Sequence, residues 1–333
     1  MKKISVLLVS FSLVTSLSFA KEREGNVTIK VNLNAPKEAK RVRLWLPYPV
    51  SDEHQRIEDV RIKGNYSLQG IYRDPATSAL ALYAEWQGRS DKRTLELSFK
   101  AWAEEWVAKE LKETGEPIPV EVKRYLESNR WTPTDGKVRE IATGITNGKK
   151  GILEKARAIY DWVVENTYRD PNVKGCGQGI VEEMLTKRGG KCVDISSVFV
   201  ALARAAGVPA REIFGLRLGK KSKEDITGGH HCWAEFYLPG TGWVAVDPAD
   251  VRKRMLEKGL DLKDAKPYRE YYFGAVDEYR IVLGRGGRDV TLQPPQKGGA
   301  LNYFMYPYAE VDDKPLDYME PRSFRFSISF EAQ

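Results

Sequence analysis

The sequence predicts an α+β fold: an N-terminal β-sandwich followed by an α+β domain in which a helix packs on an antiparallel sheet. Three observations predict it. Short runs with a two-residue apolar period fill the first hundred residues, helical periods begin only after about residue 103, and a buried helix starting at Cys192 is followed by a strand, a turn and a strand. With 333 residues, 42% hydrophobic and 30% charged, the chain has enough apolar material for two packed units. Disordered and coiled-coil readings of the whole chain are excluded.

The first twenty residues read as a secretory leader. Lys2 and Lys3 form a basic start, an apolar run extends from Val6 to Leu17, and Ser18 and Ala20 bracket a cleavage site. The run is shorter than the roughly 20 residues a membrane span needs, and no later stretch is long and apolar enough to span. The expectation is an exported protein, periplasmic or secreted, with no membrane span in the mature chain. Loss of the leader lowers the formal charge from +7 to +5, and no helix or tail concentrates it, so charge points to no partner. Phosphate-cradling glycine loops and basic-aromatic nucleic-acid motifs are absent, and no nucleic-acid partner is expected.

Strand signals come next. Val27, Ile29, Val31 and Leu33 alternate with Thr28, Lys30 and Asn32; Val42, Leu44 and Leu46 alternate before Pro47-Tyr48-Pro49; Leu95, Leu97 and Phe99 alternate with Thr94, Glu96 and Ser98. These make a sandwich over 21–103. From 104 to 145, helical segments broken by Gly115, Pro117, Pro119 and Pro133 read as a helical connector, and 146–333 as the second domain. A helix is expected from about Lys150 to Thr167, burying Ile152, Ala156, Ile159, Tyr160 and Val163. The strand-like end of the chain, including Phe324, Phe326, Ile328 and Phe330, either completes the second domain's sheet or returns to the first.

Chemistry concentrates after Gly189-Gly190-Lys191-Cys192. Ile195, Val198, Phe199 and Leu202 recur at helical spacing and Gly207 with Pro209 stops the helix, so Cys192 falls at a helix N-terminus. There the helix dipole and unpaired N–H groups favour a thiolate, and two glycines leave room for a substrate backbone. Residues 231–238 and 243–248 read as a hairpin turning at Pro239-Gly240. Centred on Pro239, it pairs residues whose numbers sum to 478 and sets His231 opposite Asp247, with Cβ atoms about 5 Å apart. A carboxylate so placed orients an imidazole and stabilises its protonated form. His230 points to the opposite face, and His54 reads as solvated surface.

The ordered motifs Gly-Lys-Cys192-Val-Asp, Ala-Arg-Ala-Ala-Gly-Val-Pro-Ala-Arg211, His231-x-Trp233-x-Glu-x-Tyr-Leu and Gly-Trp243-x-x-x-Asp247-Pro248 resemble the bacterial transglutaminase-like superfamily. Its Cys-His-Asp triad in turn resembles that of papain-fold proteases. The likeness implies a transglutaminase-like domain with Cys192 as nucleophile, His231 as general base and acid and Asp247 as orienting carboxylate. Cys232 departs from the pattern, which more often has Ala or Val there. Gln178, in the Gly175-Cys-Gly-Gln-Gly179 loop, is an oxyanion candidate beside the Cys192 N–H.

Cys176 and Cys232 admit either a disulfide that leaves Cys192 free or two separate thiols; with Cys192 and His230 they match no zinc spacing, and neither cofactor nor metal is expected. The leading expectation is an exported cysteine acyl-transfer enzyme acting on peptide or carboxamide bonds of a peptide or protein substrate through a thioester on Cys192. Hydrolysis is favoured over transamidation because an exported enzyme meets abundant water and few unblocked amines. The alternative is a non-catalytic peptide or cell-wall binding module on the same fold.

Overall fold

Alternating apolar residues build the first unit. In the computed structural model residues 20–333 are described, apart from 75, 76, 78, 109, 320, 321 and 323; residues 1–19 of the expected leader lie outside the described residues. The chain begins with six strands, β1 (Glu22–Leu33), β2 (Arg41–Pro47), β3 (Gln55–Gly64), β4 (Leu68–Arg73), β5 (Leu80–Gln87) and β6 (Arg93–Glu104), then a short β7 (Trp106–Val107). Helices α1 (Val120–Lys123), α2 (Gly136–Thr146) and α3 (Ile152–Asn166) follow. Next come β8 (Tyr168–Arg169), α4 (Val181–Lys187), β9 (Gly189–Gly190), α5 (Cys192–Ala205), β10 (Ala210–Arg217), β11 (Lys223–Asp225), β12 (His230–Leu238) and β13 (Gly242–Val246). The chain closes with α6 (Pro248–Lys258), α7 (Lys266–Tyr271), β14 (Ala275–Val276), β15 (Arg280–Arg285), β16 (Tyr308–Val311), β17 (Lys314–Leu316) and β18 (Phe324–Ala332).

Two five-stranded antiparallel sheets form the sandwich, in the orders β11-β18-β1-β6-β3 and β17-β16-β2-β5-β4. The alternation read in β1 is the burial pattern: Val27, Ile29, Val31 and Leu33 are at most 7% exposed and pack between β6 and β18. Val27 stands between Phe99 and Phe330, and Ile29 between Leu97 and Ile328. The two open fates of the chain's end are thereby resolved. Within the span 146–333, β16 and β18 pair with the N-terminal strands β2 and β1 and β17 extends β16, none of them joining the sheet that carries His231.

That second sheet has the order β13-β12-β10-β15. Helix α5 packs on it, buried from Cys192 to Ala203, and is walled by α2, α3, α4 and α6. Helix α3 buries Ala156, Ile159, Tyr160, Val163 and Val164, close to the expected stripe. Helix α2 falls inside the stretch read as a connector, yet its Val138 and Ala142 join the same core as α5. The fold is therefore α+β, a β-rich N-terminal region with a helix on an antiparallel sheet. The two units share packing: Leu216, Leu218 and Ile281 of the second sheet's strands and their flanks lie in the sandwich core.

Candidate active site

A tight entry sets Cys192 at the start of α5. Helix α4 ends on Arg188 in the left-handed region (φ 62°), and Gly189-Gly190 pair in parallel with Tyr168-Arg169 before the extended Lys191. Asp194, at the third helical position, accepts the Lys191 N–H at 2.9 Å, as a capping box requires. Its other oxygen accepts the N–H groups of Gln178 (2.9 Å) and Gly179 (2.8 Å), so one carboxylate ties the helix start to the 175–179 loop. Gly177 (φ 94°) must be glycine, since a Cβ there would sit 1.9 Å from the Asp194 carboxylate. The Val193 N–H donates to the Cys176 carbonyl at 3.0 Å. As the first helical residue, Cys192 has an N–H with no intrahelical acceptor, and its thiol lies at the positive end of the dipole.

His231 lies on β12 opposite Gly215 of β10. Its Nε2 is 2.7 Å from Asp247 Oδ2. A carboxylate only accepts, so Nε2 carries the proton and Nδ1 is the nitrogen left for Cys192. The expected pairing with Asp247 needs one correction: the ladder pairs Ala234 with Val246 and Leu238 with Gly242, so the numbers sum to 480, not 478. The turn centres on Gly240 (φ 86°), with Thr241 N–H donating to Leu238 O at 3.0 Å. Asp247 thus falls one step past the ladder, across from Trp233 and diagonal to His231. A two-residue shift preserves parity, and the pair still meets. Asp247 is also the N-cap of α6, accepting the Asp250 N–H at 2.8 Å on its second oxygen, with Pro248 at the first helical position.

Sequence reasoning missed the charges behind this pair. Arg280 Nη1 donates to the same Asp247 Oδ2 at 2.6 Å, and its Nη2 reaches Asp250 (3.1 Å) and Asp277 (3.2 Å). Arg217 donates to Asp250 at 2.6 Å, and Asp250 Oδ1 is 3.8 Å from His231 Nε2. Arg280, Asp247 and Asp250 are at most 4% exposed. Three carboxylates against two guanidiniums leave one net negative charge behind the His231 ring. Against the cost of burial, Arg217, His231 and Arg280 hold the Asp250 carboxyl well below its ordinary range. The donor atoms of His231, Asp247 and Asp250 lie close enough to suggest a metal site, but a dication there would face both guanidiniums. The one signal in the chain was Asp250 three residues after Asp247; Arg280 sits in an ordinary strand pattern.

All three cysteines are free and buried, so no Cys176–Cys232 disulfide is present. Cys176 Sγ donates to the His230 carbonyl (3.4 Å), and Cys232 Sγ approaches Ser196 Oγ (3.9 Å), one turn beyond Cys192. Hydrogen bonds from Cys176 and Cys232, together with His231, hold the Cys192 thiol well below its ordinary value against the opposing effect of burial. Its bond to Cys192 and burial push Cys176 up; burial and the neighbouring Cys192 push Cys232 up. Gln178 is exposed, its Oε1 3.4 Å from Asn302 Nδ2 and its carbonyl accepting from Asn302 at 2.7 Å, so the structure brings its loop but not its amide to Cys192. His230 packs tilted against Tyr306 with ring centroids 4.4 Å apart, and the half-buried His54 pairs with Glu104 at 3.1 Å.

The α+β fold thus carries the Cys192 thiol at a buried helix start and a strand-borne His231 imidazole held by the Asp247 carboxylate. Residues 139–248 match the model of the transglutaminase-like superfamily. An uncharacterized protein of Haemophilus influenzae is 38% identical over 311 residues, covering 85% of this chain and 84% of that one. A protein-glutamine gamma-glutamyltransferase of Pseudomonas aeruginosa is 29% identical over 92 residues, 25% of this chain and 13% of that protein. A crystal structure of a candidate cysteine protease from Cytophaga hutchinsonii shares the fold, with a TM-score of 0.54 at 15% identity, covering 94% of this chain and 100% of that chain. The chain belongs to the transglutaminase-like superfamily.

Proposed function

We propose that this protein is an exported cysteine acyl-transfer enzyme that acts on peptide or carboxamide bonds, with Cys192, His231 and Asp247 as its catalytic residues. One observation carries the reading: Cys192, with its lowered thiol pKa, shares a buried site with His231, whose far nitrogen is held by Asp247 at 2.7 Å. The Cys192 thiolate attacks the carbonyl carbon, and the developing oxyanion is met by the Cys192 N–H at the helix start. His231 Nδ1 delivers its proton to the departing amine, leaving a thioester on Cys192. Water, deprotonated by His231, then releases the acid; a second amine in its place would give transamidation. Hydrolysis is favoured because a protein carrying the leader-like start 1–20 works where water is abundant and unblocked amines are scarce. Among the described residues no helix is long and apolar enough to cross a membrane, in keeping with a peptide or protein substrate met outside the bilayer.

The test is peptide-resolved alkylation of Cys192 between pH 5 and 9, in the wild type and in His231→Ala. Half-maximal reactivity well below about 8.5, moving up in the variant, supports the ion pair. A thiol that titrates normally, or never reacts in the folded protein, overturns it. Given an ion pair, a peptide and carboxamide screen with and without added amine separates hydrolysis from transamidation, and Cys192→Ala must abolish both. In this reading Gln178 donates to the oxyanion only by turning away from Asn302. Gln178→Ala then lowers turnover by about 10²-fold; unchanged turnover leaves the backbone as donor.

A further inference from the structure

The proposed reaction uses one thiol of three that share a buried cluster. Cys176 lies beside the first turn of α5, its carbonyl accepting the N–H of Val193, the residue after Cys192, at 3.0 Å, and its thiol neighbouring that of Cys192. Cys232 lies on the other side, on a strand paired along both edges, with its thiol at Ser196. The two differ in setting. Cys232 is held in the ladder, whereas Cys176 sits outside any helix or strand, among Gly175, Gly177 and Gly179, all at positive φ (58°, 94° and 70°), with its carbonyl against the first turn of α5.

Resting on the reading of Cys192 as the reactive thiolate, we propose that Cys176 is its resolving thiol, so that a hydroperoxide converts the pair to a reversible Cys176–Cys192 disulfide. In the first step the Cys192 thiolate attacks the peroxide oxygen, the O–O bond breaks, and the leaving oxygen takes a proton to become water or an alcohol. The sulfur, oxidised by two electrons, is now a sulfenic acid. In the second step the Cys176 sulfur attacks it, the S–O bond breaks, and the hydroxyl leaves as water with the Cys176 proton. The disulfide blocks the nucleophile and diverts it from irreversible sulfinic and sulfonic acids, and a dithiol restores both thiols. The arrangement accounts for a second cysteine beside the nucleophile in a chain with no disulfide.

The three cysteines fall in separate tryptic peptides, 175–187, 192–204 and 224–252, so the experiment needs no variant to be read. The folded full chain is treated with stoichiometric hydrogen peroxide, alkylated, digested and analysed by mass spectrometry before and after dithiothreitol. The expected result is a 175–187 to 192–204 crosslink that dithiothreitol releases. Cys176→Ser should lose the crosslink and recover at least about 5-fold less reducible Cys192, with sulfinic and sulfonic acid in its place, while Cys232→Ser keeps it. A crosslink from 192–204 to 224–252, or over-oxidation of Cys192 in the wild type without a crosslink, overturns the proposal. If Cys192 alkylates as a thiolate but forms no crosslink, the inference fails and the catalytic reading stands. If it reacts with neither reagent, both fail.

Discussion

Arg280 is the residue on which the site's electrostatics turn. It is fully enclosed, and its guanidinium spans Asp247, Asp250 and the half-buried Asp277, so its removal leaves these three carboxylates, two of them buried, to one remaining arginine. An uncompensated buried charge is costly, and Arg280→Gln should lower stability by about 3–5 kcal/mol in urea denaturation. Arg280→Lys keeps the charge but loses the fork that reaches several carboxylates at once, and should fall between the two. A loss under about 1 kcal/mol in Arg280→Gln would mean that the carboxylates are stabilised by something other than this guanidinium. Asp247 is held by His231, Arg280 and the Asp250 N–H together, so its orientation does not depend on the imidazole alone.

Between β8 and α4, a short element carries much of the precision. The 175–179 loop is held by Tyr303, which donates to the Gly177 carbonyl at 2.8 Å, by Asn302 on the Gln178 carbonyl at 2.7 Å, and by Asp194, whose carboxylate takes three backbone N–H groups from both sides of the site. Asp194→Ala removes the helix cap and leaves buried donors unpaired, for a loss of about 2–4 kcal/mol. Hydrogen exchange should show the change as faster exchange at Gln178, Gly179 and Lys191, with the strands of the second sheet unaffected. Equal acceleration across α5 would instead mean that the carboxylate supports the whole helix. Strand β12 shows the same economy of parts: its odd-numbered residues carry His231 towards Asp247 while Cys232 and Ala234 face α5.

The molecule is closed by its own end. β1 lies between β6 and β18, and β2 between β5 and β16, so the sandwich is missing a flanking strand in each sheet until the last thirty residues arrive. Phe324, Ile328 and Phe330 are at most 2% exposed, and each contributes roughly 1.5–3 kcal/mol by burial, comparable together to the whole stability of a small domain. A fragment comprising residues 20–107 should therefore be unfolded or aggregated, with a collapsed amide proton spectrum. A dispersed spectrum would show that three strands per sheet suffice. Because β10, β11 and β15 also touch the sandwich core, unfolding of the full chain should follow a single transition by circular dichroism and by tryptophan fluorescence.

What the sequence determined by itself is what repeats locally: the period-two strands, the stripe of α3, the helix that begins at Cys192, and the shared parity of His231 and Asp247. These follow from periods of 2 and 3.6 residues and from Gly, Pro and capping signals, all of which act within a few positions. The hairpin register came out two residues away, because turn geometry at Gly240 sets the centre and composition alone does not; parity absorbed the difference. The tertiary structure alone decided the return of β16 to β18 to the N-terminal sheets, the clustering of Cys176 and Cys232 about Cys192, and the charges of Arg217, Arg280, Asp250 and Asp277 behind Asp247. The reason is physical: these contacts join residues tens to hundreds of positions apart, and an arginine or cysteine carries no periodic signal of the partner it will meet.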